Sequence, residues 1–94
     1  MLTLDDFTPL VGDAFALVDE TTGAHRAALL EARPLNGPEL GGRKPFALLF
    51  EGPVSPLLPQ RAYTVQHPAF DALDIFLVPV GRVAAGVHYE AIFN

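Results

Sequence analysis

Apolar and polar residues alternate with a period close to two over most of this chain, and Pro or Gly separates the alternating runs. The clearest runs lie from Lys44 onward, in the stretches 44–52, 61–67, 73–80 and 86–94. No stretch holds the 3.6-residue period of a long amphipathic helix. The pattern therefore predicts an all-β chain of short antiparallel strands.

Six strands are predicted, with the bounds 13–19, 25–33, 45–51, 61–67, 73–80 and 87–93. The Ala and Leu content of 25–33 also suits a helix, but the turn signal at 20–23 favours a hairpin. Pro79 cannot donate a ladder hydrogen bond, which predicts that this end of the fifth strand is a sheet edge or a strand terminus.

The segments outside the predicted strands also indicate local structure. Residues 3–12 predict one helical turn, in which Leu4, Phe7 and Leu10 recur every three residues and would plug one end of the core. The connection 52–60 contains three prolines, which exclude a regular helix, and its Leu57 and Leu58 are expected to fold back as a lid. Residues 1–94 thus predict one domain, a small antiparallel six-stranded barrel or sandwich with a short N-terminal helical turn.

Composition narrows the class of partner. The formal net charge is −5, so a nucleic-acid partner or an anionic membrane surface is not expected. The chain has no cysteine, acidic residues stand where a signal peptide would be basic, and no apolar run approaches a membrane span. A cytoplasmic location is expected. Half of the residues are hydrophobic, which favours a protein partner or a homo-oligomer.

The sequence offers few groups for chemistry. Ser55, the only serine, stands between prolines without the glycines of a nucleophile elbow. His25, His67 and His88 match no metal-binding spacing. Asp71 and Asp74 are interpreted as a polar turn and the outward face of a strand, and not as an acid–base pair. We therefore expect no catalytic residue, no metal and no cofactor, and hence no enzyme.

The stretch 41–44 and the carboxylate of Glu90 each allow both a structural and a functional interpretation. The stretch 41–44, Gly-Gly-Arg-Lys, resembles a phosphate cradle, but a strand and not a helix follows it, so a hairpin tip is preferred. Glu90 lies between Tyr89 and Ile92 in the last strand. If its carboxylate is buried it needs a cationic partner, for which Arg61 or Arg82 is expected.

Four blocks of sequence resemble a family of short bacterial proteins of unknown function. They are PFALLFEGP at 45–53, LPQRAYTVQHP at 58–68, IFLVPVG at 75–81 and YEAIFN at 89–94. The resemblance implies a compact β-rich domain without an assigned activity. It also implies an association with genes for phage-tail-collar-like proteins, and so an assembly or accessory role.

The functional expectation is a non-enzymatic interaction or assembly module. Its contact surface is expected around Leu57, Leu58, Phe70 and Phe76, where apolar residues stand near loops or a predicted sheet edge. The alternative is a small β-barrel that carries an apolar ligand in its interior. Seven Phe and two Tyr are sufficient to fill that interior, which argues against the alternative.

Overall fold

The protein is described by a computed structural model that covers residues 2–94. Its strands are β1 (Ala14–Asp19), β2 (Gly23–Pro34), β3 (Phe46–Gly52), β4 (Arg61–His67), β5 (Phe70–Val83) and β6 (Gly86–Phe93). All six predicted strands are present, including the second one, whose composition also suited a helix. The differences lie at the ends, where β2 and β5 are longer than the pattern indicated.

The strands form a closed antiparallel barrel with the order β1-β2-β3-β6-β5-β4, in which β4 returns to pair with β1. The expectation of an all-β antiparallel fold is confirmed, and of its two forms the barrel is the one observed. Among residues 2–94 the structure has no helix long and apolar enough to cross a membrane.

Two long strands turn the corners of the barrel. β2 pairs with β1 through residues 23–28 and with β3 through 28–34. β5 pairs with β4 through residues 70–77 and with β6 through 78–83. Each strand carries a β-bulge, between Leu29 and Glu31 in β2 and between Pro79 and Gly81 in β5. A bulge bends its strand, so each strand can serve both sides of the barrel.

Of the two alternatives predicted for Pro79, the sheet edge is observed and the strand terminus is wrong. Pro79 lies inside β5, opposite Tyr89 of β6, on the half of the strand that has no β4 partner because the pairing with β4 ends at Leu77. The bulge that begins at Pro79 also explains why a residue without an N–H group is tolerated there.

The interior is filled by the alternate residues that the pattern placed on one face. In β4, Tyr63 and Val65 are buried while Thr64 and Gln66 lie outside. The largest fully buried side chains belong to Tyr63, Tyr89, Phe7, Phe15, Phe46, Phe50, Leu17, Leu29, Leu48, Leu77, Val65 and Val87. At ~25 cal/mol per Å² of buried apolar surface, this cluster is the main stabilising contribution to the fold.

The N-terminal segment closes one end of the barrel, as predicted. α1 (Leu4–Phe7) is followed by a 3-10 turn (Thr8–Leu10), and the Thr3 N–H donates a hydrogen bond to the Asp6 carboxylate at 2.8 Å. The ring of Phe7 is fully buried and lies about 5.9 Å or less from the rings of Phe46, Phe70 and Phe93.

The connection between β3 and β4 closes the other end. Leu58 is buried in the core, and its backbone N–H donates to the hydroxyl of Tyr89 at 2.9 Å. The hydroxyl of Tyr63 donates to the carbonyl of Pro59. Burial raises the pKa of Tyr63. Leu58 therefore folds back as the predicted lid, whereas Leu57 remains exposed.

The glycine pair of the 34–45 loop forms a hairpin tip, which is the preferred interpretation. Gly41 and Gly42 have positive φ angles of 59° and 78°, and the N–H groups and carbonyls of Leu40 and Arg43 exchange hydrogen bonds across them. The Arg43 guanidinium lies 5.6 Å from the ring centroid of Phe93 and donates to the backbone carbonyl of Asn94. Arg43 thus fastens the loop to the end of β6.

Candidate functional site

The four residues expected at the contact surface differ in exposure and lie in different parts of the structure. Leu57 and Phe76 are each 53% exposed. Leu58 is buried beneath the β3–β4 connection and offers no surface, so the expectation for that residue is corrected. Phe70 is half-buried and packs against the rings of Phe7 and Phe15. Of the four, Phe76 alone stands in the middle of a strand.

Phe76 lies on a part of β5 that is paired on one side only. Residues 70–77 pair with β4, but the pairing between β5 and β6 begins at Val78 opposite Glu90. Beyond that pair, no residue of β6 is paired with the first half of β5. We call residues 70–76, on the side away from β4, the β5 edge. It presents backbone groups of the kind that pair with a further strand.

The side chains of the β5 edge divide into two sets. Ile75 and Leu77 point into the barrel and are buried, whereas Asp74 and Phe76 point outward. Phe76 is opposite the small Ala62 of β4, which leaves the ring standing above the sheet. Ile92, on the last part of β6, is 50% exposed. An apolar ring beside an unpaired strand is a suitable anchor for an extended chain.

A second unpaired edge lies at the opposite corner of the barrel. Residues 23–26 of β2 pair with β1, but pairing with β3 begins only at Ala28 opposite Glu51. We call residues 23–26, on the side away from β1, the β2 edge. Its outward side chains are Ala24 and Arg26, both exposed. Within residues 2–94, Arg26 has no hydrogen bond and no ion pair.

The three histidines lie in separate places and each has its own partner. Nε2 of His67 is 3.0 Å from the Asp13 carboxylate, and its Nδ1 accepts the Ala69 N–H at 2.9 Å. Nε2 of His88 is 2.8 Å from Glu51. Nε2 of His25 is 2.7 Å from the hydroxyl of Thr22.

The three histidines do not come together in the structure. In the described part of the chain no group of three His, Asp or Glu side chains is placed to hold a metal ion. At His67 both ring nitrogens are occupied by Asp13 and the Ala69 N–H, and the ring packs 4.6 Å from that of Phe15. A ring held in this way has no free nitrogen for a substrate.

Asp19 is the one buried charged residue of the described chain, at the end of β1. Its carboxylate accepts hydrogen bonds from the Thr22 hydroxyl at 2.9 Å and from the Arg61 guanidinium at 2.9 Å. The pKa of Asp19 is lowered, and the hydrogen bond from Thr22 is the largest cause. Burial of the carboxylate acts in the opposite direction and raises the pKa. The hydrogen bond from the Thr21 N–H and the bond and charge of Arg61 lower it further. This network anchors the β1–β2 turn to β4.

The ion pair of Glu90 differs from the one predicted. Glu90 is half-buried and pairs with Arg33 of β2 at 2.8 Å, across β3. Arg61, one of the two expected partners, binds Asp19 instead. The order of the strands decides this, because β2 and β6 both flank β3 and bring Arg33 and Glu90 to the same outer face.

The described grooves lie outside the barrel. An open groove of about 780 Å³ crosses the outer face between Ala14, Arg26, His67 and Asp71. The interior, in contrast, is occupied by the buried side chains of the core. The arrangement therefore gives no support to a carrier that holds its ligand inside the barrel, and the surface features of interest are the two strand edges.

Sequence reasoning identified Phe76 but not the two edges. Nothing in the local pattern of β2 or β5 shows which half of the strand pairs with which neighbour. The excess length of the two apolar runs was the available signal, since residues 70–83 form one strand with two bulges and no turn. The pairing itself depends on the order of the strands around the barrel.

Comparison with known proteins gives a family and no activity. No curated protein and no solved structure matches the chain. A family model described as a domain of unknown function, DUF6916, matches residues 2–93. With nearly its whole length matched, the chain belongs to the DUF6916 family of domains of unknown function.

Proposed function

We propose that this protein is a non-enzymatic interaction module that binds an extended segment of a protein chain along the β5 edge. The observation that carries the proposal is the pairing of β5, which has β4 on one side and no strand on the other through residues 70–76. An extended segment would add to this edge through backbone hydrogen bonds, and pockets or rings beside the edge would select its side chains.

The side chains around the edge support this use. Phe76 offers an exposed aromatic ring at the centre of the edge, and Asp71 and Asp74 place negative charge on the same stretch. Aromatic residues are frequent anchors of protein interfaces, while exposed edges without a function are usually shielded. The segment that binds here is expected to carry an apolar residue for Phe76 and a basic residue for the carboxylates.

The absence of enzymatic activity is part of the proposal. The histidines are engaged by Asp13, Thr22 and Glu51, and Ser55 lies in the β3–β4 connection without a base hydrogen-bonded to it in the described residues. Nucleophilic catalysis needs such a base within hydrogen-bond reach. The narrower proposal, taken from the resemblance, is that the module is accessory to a phage-tail-like protein.

Site-specific photo-crosslinking tests the proposed surface. A photoreactive amino acid replaces Phe76 in one variant and Leu40 in the other, because the two side chains are almost equally exposed, at 53% and 55%, but Leu40 lies in the hairpin tip. Crosslinking is carried out in cells that express the protein from its own gene. We expect position 76 to yield a discrete crosslinked protein, or a crosslinked second copy, that position 40 does not yield.

The experiment has a clear contrary result. Equal crosslinking from both positions, or none from position 76, would overturn the proposal. A further variant, Asp74→Asn, leaves the backbone of β5 unchanged but removes one of the carboxylates that the bound segment is expected to meet. Its expected effect is a weaker crosslink from position 76, provided that circular dichroism shows an intact fold.

A further inference from the structure

The β5 edge and the β2 edge are complementary in charge. The β5 edge carries Asp71 and Asp74 and no cation, whereas the β2 edge carries Arg26 and His25 and no acid. Pairing β5 with β5 of another copy would bring carboxylates together, and pairing β2 with β2 would bring the Arg26 side chains together. Only the unlike pair places opposite charges across the new ladder.

We infer that the segment that binds the β5 edge is the β2 edge of a second copy of this chain. The inference rests on the proposed function, since it names the occupant of that same edge. Every strand pair within the barrel is antiparallel. An antiparallel pair between copies continues that arrangement and needs no change in either strand.

The positions of the outward side chains define the register. If Arg26 of one copy lies opposite Asp74 of the next, the same antiparallel ladder places Ala24 opposite Phe76. The guanidinium then meets a carboxylate, and the small Ala24 leaves room for the aromatic ring. Beyond Arg26 the ladder ends, because Ala28 is already paired with Glu51 of β3.

Such an interface joins different surfaces of the two copies. When two copies are joined, the copy that uses its β5 edge still has a free β2 edge, and the other copy still has a free β5 edge. Further copies can therefore add at both ends in the same direction. A contact of this kind closes into a ring or continues as a filament, according to the rotation between neighbours. The short ladder predicts weak association that depends on concentration, and not a permanent dimer.

Charge reversal with rescue tests the pairing. Arg26→Glu and Asp74→Arg each place like charges across the ladder, and the double variant restores an opposite pair with the charges exchanged. Arg82→Glu is the matched control, because Arg82 is an exposed arginine on the β6-paired half of β5, away from both edges. Sedimentation velocity is measured from about 10 µM to about 1 mM, the range of weak protein contacts.

The variants are expected to differ in the dissociation constant of self-association. Each single reversal should raise the dissociation constant roughly tenfold, and the double variant should return it to within about twofold of the unmodified chain. Arg82→Glu should leave the constant unchanged. Association that is insensitive to Arg26→Glu would overturn the inference.

Failure of the inference can be told apart from failure of the proposed function. A chain that stays monomeric at all concentrations, while position 76 crosslinks a different protein, overturns the second copy as occupant and keeps the β5 edge as a binding surface. A chain that stays monomeric and yields no crosslink from position 76 overturns both.

Discussion

The hydroxyl of Tyr89 lies 2.9 Å from the backbone nitrogen of Leu58, and both residues are buried. Tyr89 stands on β6 and Leu58 in the connection that closes one end of the barrel. The bond gives a buried N–H group its acceptor and fixes the connection over the core. A side chain of the barrel wall thus holds the lid, which needs no secondary structure of its own.

Tyr89→Phe is expected to destabilise the fold by about 1–3 kcal/mol, because the Leu58 N–H loses its acceptor while it stays buried. Urea denaturation measures the change. Thr64→Val is the control, since its hydroxyl makes an exposed 3.3 Å bond to Asp74, and it should change stability by about 0.5 kcal/mol or less. Equal midpoints for Tyr89→Phe and the unmodified chain would show that the bond does not hold the lid.

Gly86→Ala is expected to destabilise the barrel by about 1–3 kcal/mol, the usual cost of overpacking. A methyl group at Gly86 would meet the backbone oxygen of Gly52 at 2.0 Å, and a backbone atom cannot move aside as a flexible side chain can. Gly81 is the matched control on the neighbouring strand, because a methyl group there has no atom within 4 Å. Thermal unfolding of the two variants should differ clearly, and similar melting temperatures would contradict the close packing of Gly52 and Gly86.

Asp19→Asn tests the buried network. The pKa of Asp19 is lowered below its ordinary value of 3.8 in the folded state, so the unfolded chain binds the proton more readily. Its contribution to stability is therefore present above about pH 4 and is lost as the pH falls through the lower folded value. We expect the variant to be less stable at neutral pH and to lose less of its stability on acidification.

The matched control for that experiment is Asp71→Asn, an exposed carboxylate without a hydrogen bond in the described residues. Urea denaturation at a series of pH values compares the two variants with the unmodified chain. A variant at position 19 with the same acid dependence as the unmodified chain would exclude Asp19 as a source of that dependence.

The ring of His67 is predicted to carry its proton on Nε2 when it is neutral. Nδ1 accepts the Ala69 N–H, so it cannot hold a proton itself, whereas Nε2 faces the Asp13 carboxylate and donates to it. Nitrogen-15 chemical shifts of the imidazole report the tautomer directly. Shifts characteristic of a proton on Nδ1 would contradict this hydrogen-bonding arrangement.

Alternation along the strands was sufficient to predict the fold class. The inward sets of β1, β4 and β6, such as Tyr63 with Val65, follow directly from the two-residue period of a strand with one buried face. The helical plug around Phe7 and the hairpin tip at Gly41 and Gly42 were also predicted, because they depend on local spacing and on the φ angles that glycine permits.

The tertiary structure decided the features on which the functional proposals rest. Pro79 was predicted at a sheet edge or a strand terminus and lies at a bulged corner that is paired on one side only, and Glu90 pairs with Arg33, 57 positions away, instead of with Arg61 or Arg82. Both outcomes depend on which strands become neighbours, and no local pattern encodes that order.

The same reason applies to the candidate site. The sequence by itself indicated that Phe76 stands in an apolar strand near a loop or a sheet edge. Its outward direction was decided by the structure, in which the neighbours Ile75 and Leu77 occupy the buried positions. Only the tertiary structure decided that β5 is unpaired beside Phe76 and that β2 is unpaired beside Arg26. Each long strand bends from one neighbour to the next, and the point of that bend sets which backbone groups remain without a partner.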